Sequence, residues 1–571
     1  MSEEKNTTEM NEAILSERKS LEYKADDADL ITAINSAVSE AKSLKSIVDK
    51  IGVKNELYWR KGTDLDLKDI HPKHSKTIDN RIFMSVETII PMLTSRTPEP
   101  SIVGNIDNDT REKLVKVLTI AYEVKQKLQL KLQSIIRHWF IYRIGVWKYR
   151  WDEKGGFTTE TVRPSKIGID PRATEKGNCE FMYERMEDTL EKLIIKFPKK
   201  KKDILAQYGA DRMKSKMGYL EFWGNSGEWV VWKIGTIILG KQKNPNFDYK
   251  NEENNLFKEP QFPYLLLNVF NLGKNLYDDT SLIEQAIPLQ DAVNKRKNQI
   301  SDLIDEQKKL VIASSKAITQ ERLQEFIDKH GMLGVWLDNG EISDIKIEGG
   351  SVDASMINDL AQSIGEIDNI MGTHSTTRGE RGQQETLGGR KLLTGADYGR
   401  TETIVLRVEQ LMEDWFNAFL HMTKVYSMED NEFSDGEETI ILDKSEIPSG
   451  TLVMVKKGST LPVDKAARAE MAVKLAQFNF IDPSTLFEEL GYGKVDDRTQ
   501  QLYDWLMKTG KIQPQQPQQP QGQPAQQGGG QQLAKLKQLI SSPQFKKLSK
   551  AKQRPIIAQA RAIVDKVKQG K

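Results

Sequence analysis

Between residues 371 and 400 the chain reads MGTHSTTRGERGQQETLGGRKLLTGADYGR, a polar, glycine-rich, arginine-bearing stretch between two segments of strong helical patterning. So many glycines leave the backbone free in φ and supply no side chains to bury, so this stretch interrupts a core instead of building one. Long loops on a scaffold of regular elements carry contacts to ligands and partners. Nucleotide binding is not indicated: Gly379, Gly382, Gly388, Gly389, Gly395 and Gly399 fit neither GxGxxG after a strand nor GxxxxGK[ST]. The stretch is expected to act by flexibility and exposure, as a mobile contact with a polymer or a neighbouring chain.

Apolar spacing defines the segments around it. Asp353 to Met371 is expected to be helical, with Met356, Ile357, Leu360, Ile364, Ile367 and Ile370 in register. A further long helix continues to about Tyr426 on a stripe of Ile404, Leu411, Trp415, Phe419 and Met422. Upstream, Asp279-Thr280-Ser281 reads as the cap of a helix reaching about Lys309, with Leu282, Ile283, Ala286, Leu289, Val293, Ile300, Leu303 and Ile304 on its apolar positions. At 1.5 Å per residue it would span roughly 45 Å. Pro288 either kinks it or starts its straight part. Between these helices lies a small α/β segment: LVIAS, a short helix over Leu323 to His330, then GVWLDNGEI, where Asp338-Asn339-Gly340 reads as a hairpin turn.

The N-terminal half has a surface helix over Leu30 to Val48 and an apolar helix from Asn80 that must kink or end near Pro91. One long amphipathic helix is predicted from Asp109 to about Tyr142, striped by Leu114, Val117, Leu118, Ala121, Val124, Leu128, Leu132, Ile135, Ile136 and Trp139. Gly145 then opens a β-rich region with strands over Phe157 to Val162 and Tyr219 to Trp223, and a hairpin over Glu228 to Leu239 turning near Gly235. Lys199 to Lys202 reads as a solvated helix end. Strands at Thr439 to Leu442 and Thr451 to Val455 precede an alanine-rich helix over Lys465 to Phe478. Residues 511–532 are a Gln/Pro/Gly tether, expected to be disordered. The basic segment after it, with Lys546, Lys547, Lys550, Lys552 and Arg554, is by charge the strongest nucleic-acid candidate.

Whole-chain charge decides little, since 83 Lys+Arg face 82 Asp+Glu. The single Cys179 forms no intramolecular disulfide and no cysteine metal cluster, which suits a reducing compartment. No run approaches the roughly 18 apolar residues of a spanning helix, and the N-terminus has no signal-like apolar core. A soluble intracellular product without direct membrane contact is expected. Enzyme chemistry finds little support. His71 and His74 flank Pro72 with no obvious carboxylate nearby, and His374 has no nucleophile in a recognisable setting. Glu252-Glu253 and Glu437-Glu438 read as solvated loops. No metal or cofactor is expected.

The order of segments is the strongest pointer. Two long helices bracket a small α/β insertion, a flexible loop follows the second, and another long helix follows the loop. That order resembles the subunit of a bacteriophage portal (head-to-tail connector), podovirus-type or related. NRIFMSVETIIPMLTSRTPEP resembles the family's early wing helix, and DDTSLIEQAIPLQDAVNKRKNQISDLID the approach to its first stem helix. GSTLPVDKAARAEMAVKLAQFNFIDPSTLFEELGYG is similar to its closing segment, whereas the Gln/Pro tether and basic end lie outside the shared pattern. The resemblance implies an α+β fold, a portal-like elongated subunit. Its parts would be an N-terminal region and wing (1–280), first stem helix (281–309), clip (310–350), second stem helix (351–372), tunnel loop (373–387), spine helix (388–430), C-terminal wing and crown-proximal region (431–510), tether (511–532) and basic end (533–571). It implies a ring of about twelve copies at one capsid vertex of the virion, assembled in the host cytoplasm. The ring would be a conduit for packaging and ejection of double-stranded DNA, partnered by the large terminase, major capsid and scaffold proteins, and tail or adaptor proteins. A closing ring needs two complementary faces per subunit, and Val405, Met412 and Phe416 are candidates to serve both core and neighbour. Arg378 and Arg381 on the loop, and Lys295, Arg296 and Lys297 on the first stem helix, are DNA-contact candidates. Pairing of Arg378 and Arg381 with Glu380 or Glu385, and of the helix trio with Asp291 or Asp302, are the alternatives. Trp336, Leu337 and Asp338 are candidates for terminase docking at the clip, with a place in the small core the alternative for Trp336. No residue is assigned a catalytic role. The competing function is a DNA-processing enzyme with a mobile glycine-rich active-site loop.

Overall fold

The computed structural model describes residues 25–66, 68, 74–152, 156–306, 310–314, 318–330, 333–337, 346–348, 352–373, 387–426, 431–434, 439–456, 472–477, 483, 486, 502–503 and 506. Helices α1 (Asp27–Lys61) and α2 (Arg81–Leu93) lead to strand β1 (Pro100–Val103). Helices α3 (Asn108–Ile120) and α4 (Leu128–Tyr142) flank a π-helical turn at Ala121–Lys125. Strands β2 (Gly145–Asp152), β3 (Gly156–Val162), β4 (Ile167–Ile169) and β5 (Met182–Thr189) follow, then helices α5 (Leu190–Lys196) and α6 (Lys201–Tyr208). The β-rich region ends with β6 (Lys216–Gly224), β7 (Trp229–Ile234), β8 (Ile237–Lys243) and β9 (Tyr264–Leu267). Helix α7 (Leu282–Glu306) precedes β10 (Leu310–Ser314), α8 (Gln320–His330), β11 (Leu333–Leu337) and β12 (Lys346–Glu348). Helices α9 (Ala354–Met371) and α10 (Leu387–Tyr426) then lead to β13 (Asn431–Ser434), β14 (Thr439–Leu442) and β15 (Leu452–Val455). The chain is α+β. It divides into two compact units, Met1–Val463 and Asp464–Lys571; in the second, residues 472–477 are helical.

An antiparallel sheet of order β4-β5-β6-β7-β8 carries the first half. The first turns of α1 lay Leu30, Ile34, Ala37 and Ala41 on one face of it, against Tyr183, Phe222 and Val231. The other face takes Leu190 and Leu193 of α5 and Ile204 of α6. A second sheet, β3-β2-β9, joins helices α2, α3, α4, α7 and α10 in the largest apolar core, around Trp139, Trp147 and Trp415. Between the two sheets Lys148 is buried with its ammonium 2.8 Å from Glu184 and 2.7 Å from Glu221. Burial alone would lower the lysine's pKa, but Glu221 and Glu184 outweigh it and hold it above the usual value. Trp223 and Trp232 also donate their indole N–H groups to Glu221, so the buried charges are hydrogen-bonded as well as paired.

Four expectations need correcting. The first helix extends well beyond Leu30 to Val48, to Asp27–Lys61. The predicted helix over Asp109 to Tyr142 is two helices: the Gln126 N–H bonds back to Ala121, Lys127 adopts a left-handed φ of 46°, and Val124 is 44% exposed. Both pieces face one core, so the stripe runs on across the break. The interruption serves Gln126, whose side chain donates to the Phe157 carbonyl and accepts from the Thr159 N–H at the start of β3. Residues 387–400, expected within the flexible glycine-rich stretch, are instead helical, the start of α10. Strands β11 and β12 lie on opposite sides of β10, β11 parallel and β12 antiparallel to it, and the turn expected at Asp338-Asn339-Gly340 lies outside the described residues. Finally, Val405, Met412 and Phe416 are buried within this one chain, so they present no face to a neighbour.

A buried histidine, His421, and a half-buried one, His138, make stability pH-dependent. The Leu256 N–H donates to His421 Nδ1 (3.1 Å), so Nε2 carries the proton and donates to the Asn246 carbonyl (2.8 Å). Burial lowers the pKa of His421, and likewise of His138, to about 4. The unfolded chain binds these protons first, so the contribution is fully present above the unfolded value of about 6.5 and is lost as pH falls towards 4. Urea unfolding at pH 7.5 and pH 5 should differ by about 2 kcal/mol for each histidine. His421→Gln should remove about half of that difference, and an unchanged slope in this variant would refute the assignment.

Candidate functional site

Helices α7 and α9 form an antiparallel pair and are the two connections of the small β11-β10-β12 sheet. Arg296 of α7 meets Asp359 of α9 at 2.5 Å. At the far end Thr373, just past α9, donates to Ser85 of α2, a helix whose first turn is held by Gln290 of α7. In the small sheet, β10 and β11 with α8 between them form a β-α-β unit.

What fixes α7 is a ladder of side chains. The extended segment entering α2 runs along it in the opposite direction. Ser75 N–H donates to Asp302 (2.7 Å), Thr77 N–H to Asn298 (2.8 Å), Asp79 N–H to Asn294 (3.2 Å) and Arg81 N–H to Gln290 (2.9 Å). The rungs fall at every second residue of the segment and every fourth of the helix. Two extended residues advance about 6.6 Å and four helical residues about 6.0 Å, so the mismatch over the four rungs is only about 2 Å. The amides of Gln290 and Asn294 also donate to the carbonyls of Asp79 and Gly62, both at 2.7 Å. Every rung thereby satisfies a backbone N–H that has no strand partner.

More contacts brace the start of α7. Arg143 forms a two-pronged pair with Glu284 (2.7 and 2.5 Å), and Tyr58 donates to Asp291 (2.8 Å). Just before the helix, Asp279 accepts from the N–H groups of Val269, Phe270 and Thr280 and from Trp139 Nε1. Burial still raises its pKa above the usual carboxylate value despite these four donors. The same ladder rule recurs on α10. Glu413 accepts from Val455 N–H and Asn417 from Val453 N–H, both at 2.9 Å, and His421 closes the ridge one turn on.

Of the sequence-derived candidates, Arg296 and Lys297 are both committed inside the chain, to Asp359 (2.5 Å) and Asp79 (3.2 Å). The partners suggested by sequence, Asp291 and Asp302, are taken by Tyr58 and by Ser75 and His74. Asp302 is thus the carboxylate beside His74 (3.2 Å) that the linear sequence did not show. Lys295 is exposed on α7. Trp336 is half-buried and pairs in register with Ala313, as Leu337 does with Ser314. Lys199 to Lys202 spans the end of a 3-10 turn and the start of α6, with Lys200 near Asp203 (3.4 Å). Arg378, Arg381, Asp338, Lys546, Lys547, Lys550, Lys552 and Arg554 lie outside the described residues. The ladder residues Gln290, Asn294, Asn298 and Asp302 were missed. Their signal was a polar hydrogen-bonding residue at every fourth position of an otherwise apolar-striped helix.

Among the described residues no group of three or more His, Cys, Asp or Glu is placed to hold a metal ion, and no helix is long and apolar enough to cross a membrane. No protein-family model and no curated protein matches the chain. A solved structure described as the neck of an empty GTA particle computed with C6 symmetry is similar over 72% of this chain and 90% of that chain, at 11% identity and a TM-score of 0.38. Likeness at that level transfers neither fold nor role.

The ladder should weaken from its buried to its exposed end. Asn294→Leu strands the Asp79 N–H and the Gly62 carbonyl and should cost about 2–4 kcal/mol in urea unfolding, whereas Asn298→Leu at the exposed Thr77 should cost about 1 kcal/mol or less. Equal losses would mean that the rungs do not share the load as described.

Proposed function

We propose that the chain is a ring-forming portal subunit, a conduit for double-stranded DNA with no catalysis of its own. The observation that carries this is the arrangement of α7 and α9: an antiparallel pair, tied to the main core at one end, connecting at the other to a separate small sheet. The resemblance noted in the sequence implies this layout of two stem helices with a clip between them. The ladder suits a mechanical part, because it fixes the roll of α7 and leaves the small sheet hung from a braced strut.

In this reading the small sheet with Trp336 meets the packaging motor and later the tail proteins, and residues 374–386 act at the channel. Energy for translocation comes from the partner. Only Lys295 of the α7 trio is left to meet phosphates, in backbone-directed contacts that carry no sequence information. The ring stands at one capsid vertex and holds about twelve copies, on the strength of the resemblance.

Single-particle imaging of the purified chain down its symmetry axis tests the proposal. A closed ring of about twelve copies with an open channel is the expected result. Absence of any ring, even with capsid partners present, would overturn it. Within an assembled particle, deletion of residues 376–384 should leave the ring intact and impair packaging or DNA retention. Lys295→Gln should shift only the salt dependence of DNA passage. Arg296→Gln and Lys297→Gln should instead change stability, by no more than about 1 kcal/mol each.

A further inference from the structure

Four lysines are buried among the described residues: Lys45, Lys148, Lys233 and Lys424. Three have a carboxylate close by. Lys45 pairs with Asp49 at 3.3 Å, Lys148 lies between Glu184 and Glu221, and Lys424 feels the charge of Glu253. Lys233 differs. It is 8% exposed, and its ammonium donates to the Asn35 side-chain oxygen (2.5 Å) and, at 3.5 Å, to the Gly235 carbonyl. No carboxylate of the described residues pairs with it, and burial alone lowers its pKa. A buried ammonium without a counter-charge is costly, and an ammonium has three protons to place.

The surroundings supply the missing room. Lys233 lines a concavity of about 500 Å³, together with Asn35, Arg185, Glu187, Gly218 and Leu220. Strand register places Arg185, Leu220 and Lys233 in one row across β5, β6 and β7, so the two cations flank Leu220 two strand spacings apart, roughly 10 Å. Gly218, in the next row opposite Glu187, puts no side chain on the floor. A β-bulge falls between Trp232 and Lys233, a device that re-aims a strand side chain. Arg185 is exposed and forms no ion pair with Glu187, the one carboxylate on the rim.

We propose that this concavity is a binding site for a small oxyanion, a phosphate or carboxylate group, held by Lys233 with Arg185 closing from the rim. The volume is in the range of small-ligand sites and exceeds that of one phosphate, so the ligand carries a body beyond its anionic group. Glu187 on the rim excludes a second anionic group there and favours a neutral or cationic body. The site stands on the face of the five-stranded sheet that α1 covers and does not depend on ring assembly.

Calorimetric titration of the full chain at constant ionic strength, with phosphoethanolamine in one arm and 4-aminobutyrate in the other, each a single anionic group on a cationic body, tests this. Saturable one-to-one binding of at least one anion is expected, weakened at least tenfold in Lys233→Met and in the exposed-site variant Arg185→Gln. The tighter arm tells whether phosphate or carboxylate is preferred. Far-UV circular dichroism verifies that each variant is folded, and Arg185→Gln decides alone if Lys233→Met is not. No saturable heat up to about 10 mM in either arm, or variants that bind as tightly as the native chain, would overturn the proposal.

Discussion

An extended backbone that finds no neighbouring strand must place its N–H groups elsewhere, and in this protein a helix takes them. The segment 75–81 is held at alternate residues by Asp302, Asn298, Asn294 and Gln290, because helical and extended repeats nearly coincide at four residues against two. The consequence reaches past the local contact. A ridge at every fourth residue winds slowly round the helix, so satisfying four rungs fixes how α7 is rotated as well as where it lies. With that rotation set, Val293, Ala286 and Ile283 point into the main core and Arg296 points at α9. The direction in which the pair leaves the core, and with it the attachment of the small sheet, follows from the ladder.

Recurrence on α10 shows that this is a rule and not an accident of one segment. Glu413 and Asn417 bind β15 along the side that faces α10, while β1 pairs with its other edge. β15 is thus covered on both sides, one by a strand and one by a helix, which leaves no free edge there for a passing chain. His421 extends the ridge to a loop and is kept neutral by burial, with its Nδ1 accepting from the Leu256 N–H. Rigidity and pH sensitivity come from the same geometry.

Long, strongly striped segments were legible from sequence. α7 and α9 lie where apolar spacing placed them, as does α10 from its stripe at Ile404 onward, and the β7-β8 hairpin turns at Gly235, whose φ of 55° favours glycine. What failed was information held by a distant partner. The stripe from Leu114 to Trp139 could not reveal the interruption at Ala121–Lys125, since the break exists to let Gln126 serve β3. Apolarity also overstated the neighbour-facing surface: Val405, Met412 and Phe416 are consumed by the chain's own core. At the candidate site the cations were legible as residues, but their partners Asp79 and Asp359 lie more than sixty positions away in sequence.

Under the proposed conduit function, those partners bear on how the chain would meet DNA. Each phosphate neutralised by a lysine or arginine adds to affinity through counterion release, and the contribution multiplies with the number of copies in a ring. Three free cations per subunit would give a ring of about twelve copies dozens of contacts, enough to arrest a polymer that has to slide. Asp359 and Asp79 withdraw two of the three, by pairing that also joins α7 to α9 and to the extended segment. The same ion pairs therefore stiffen the strut and thin out the positive charge along it. A helix that must guide a polyanion without gripping it is better served by cations spent on its own structure than by cations deleted from it, because deletion would forfeit the bracing.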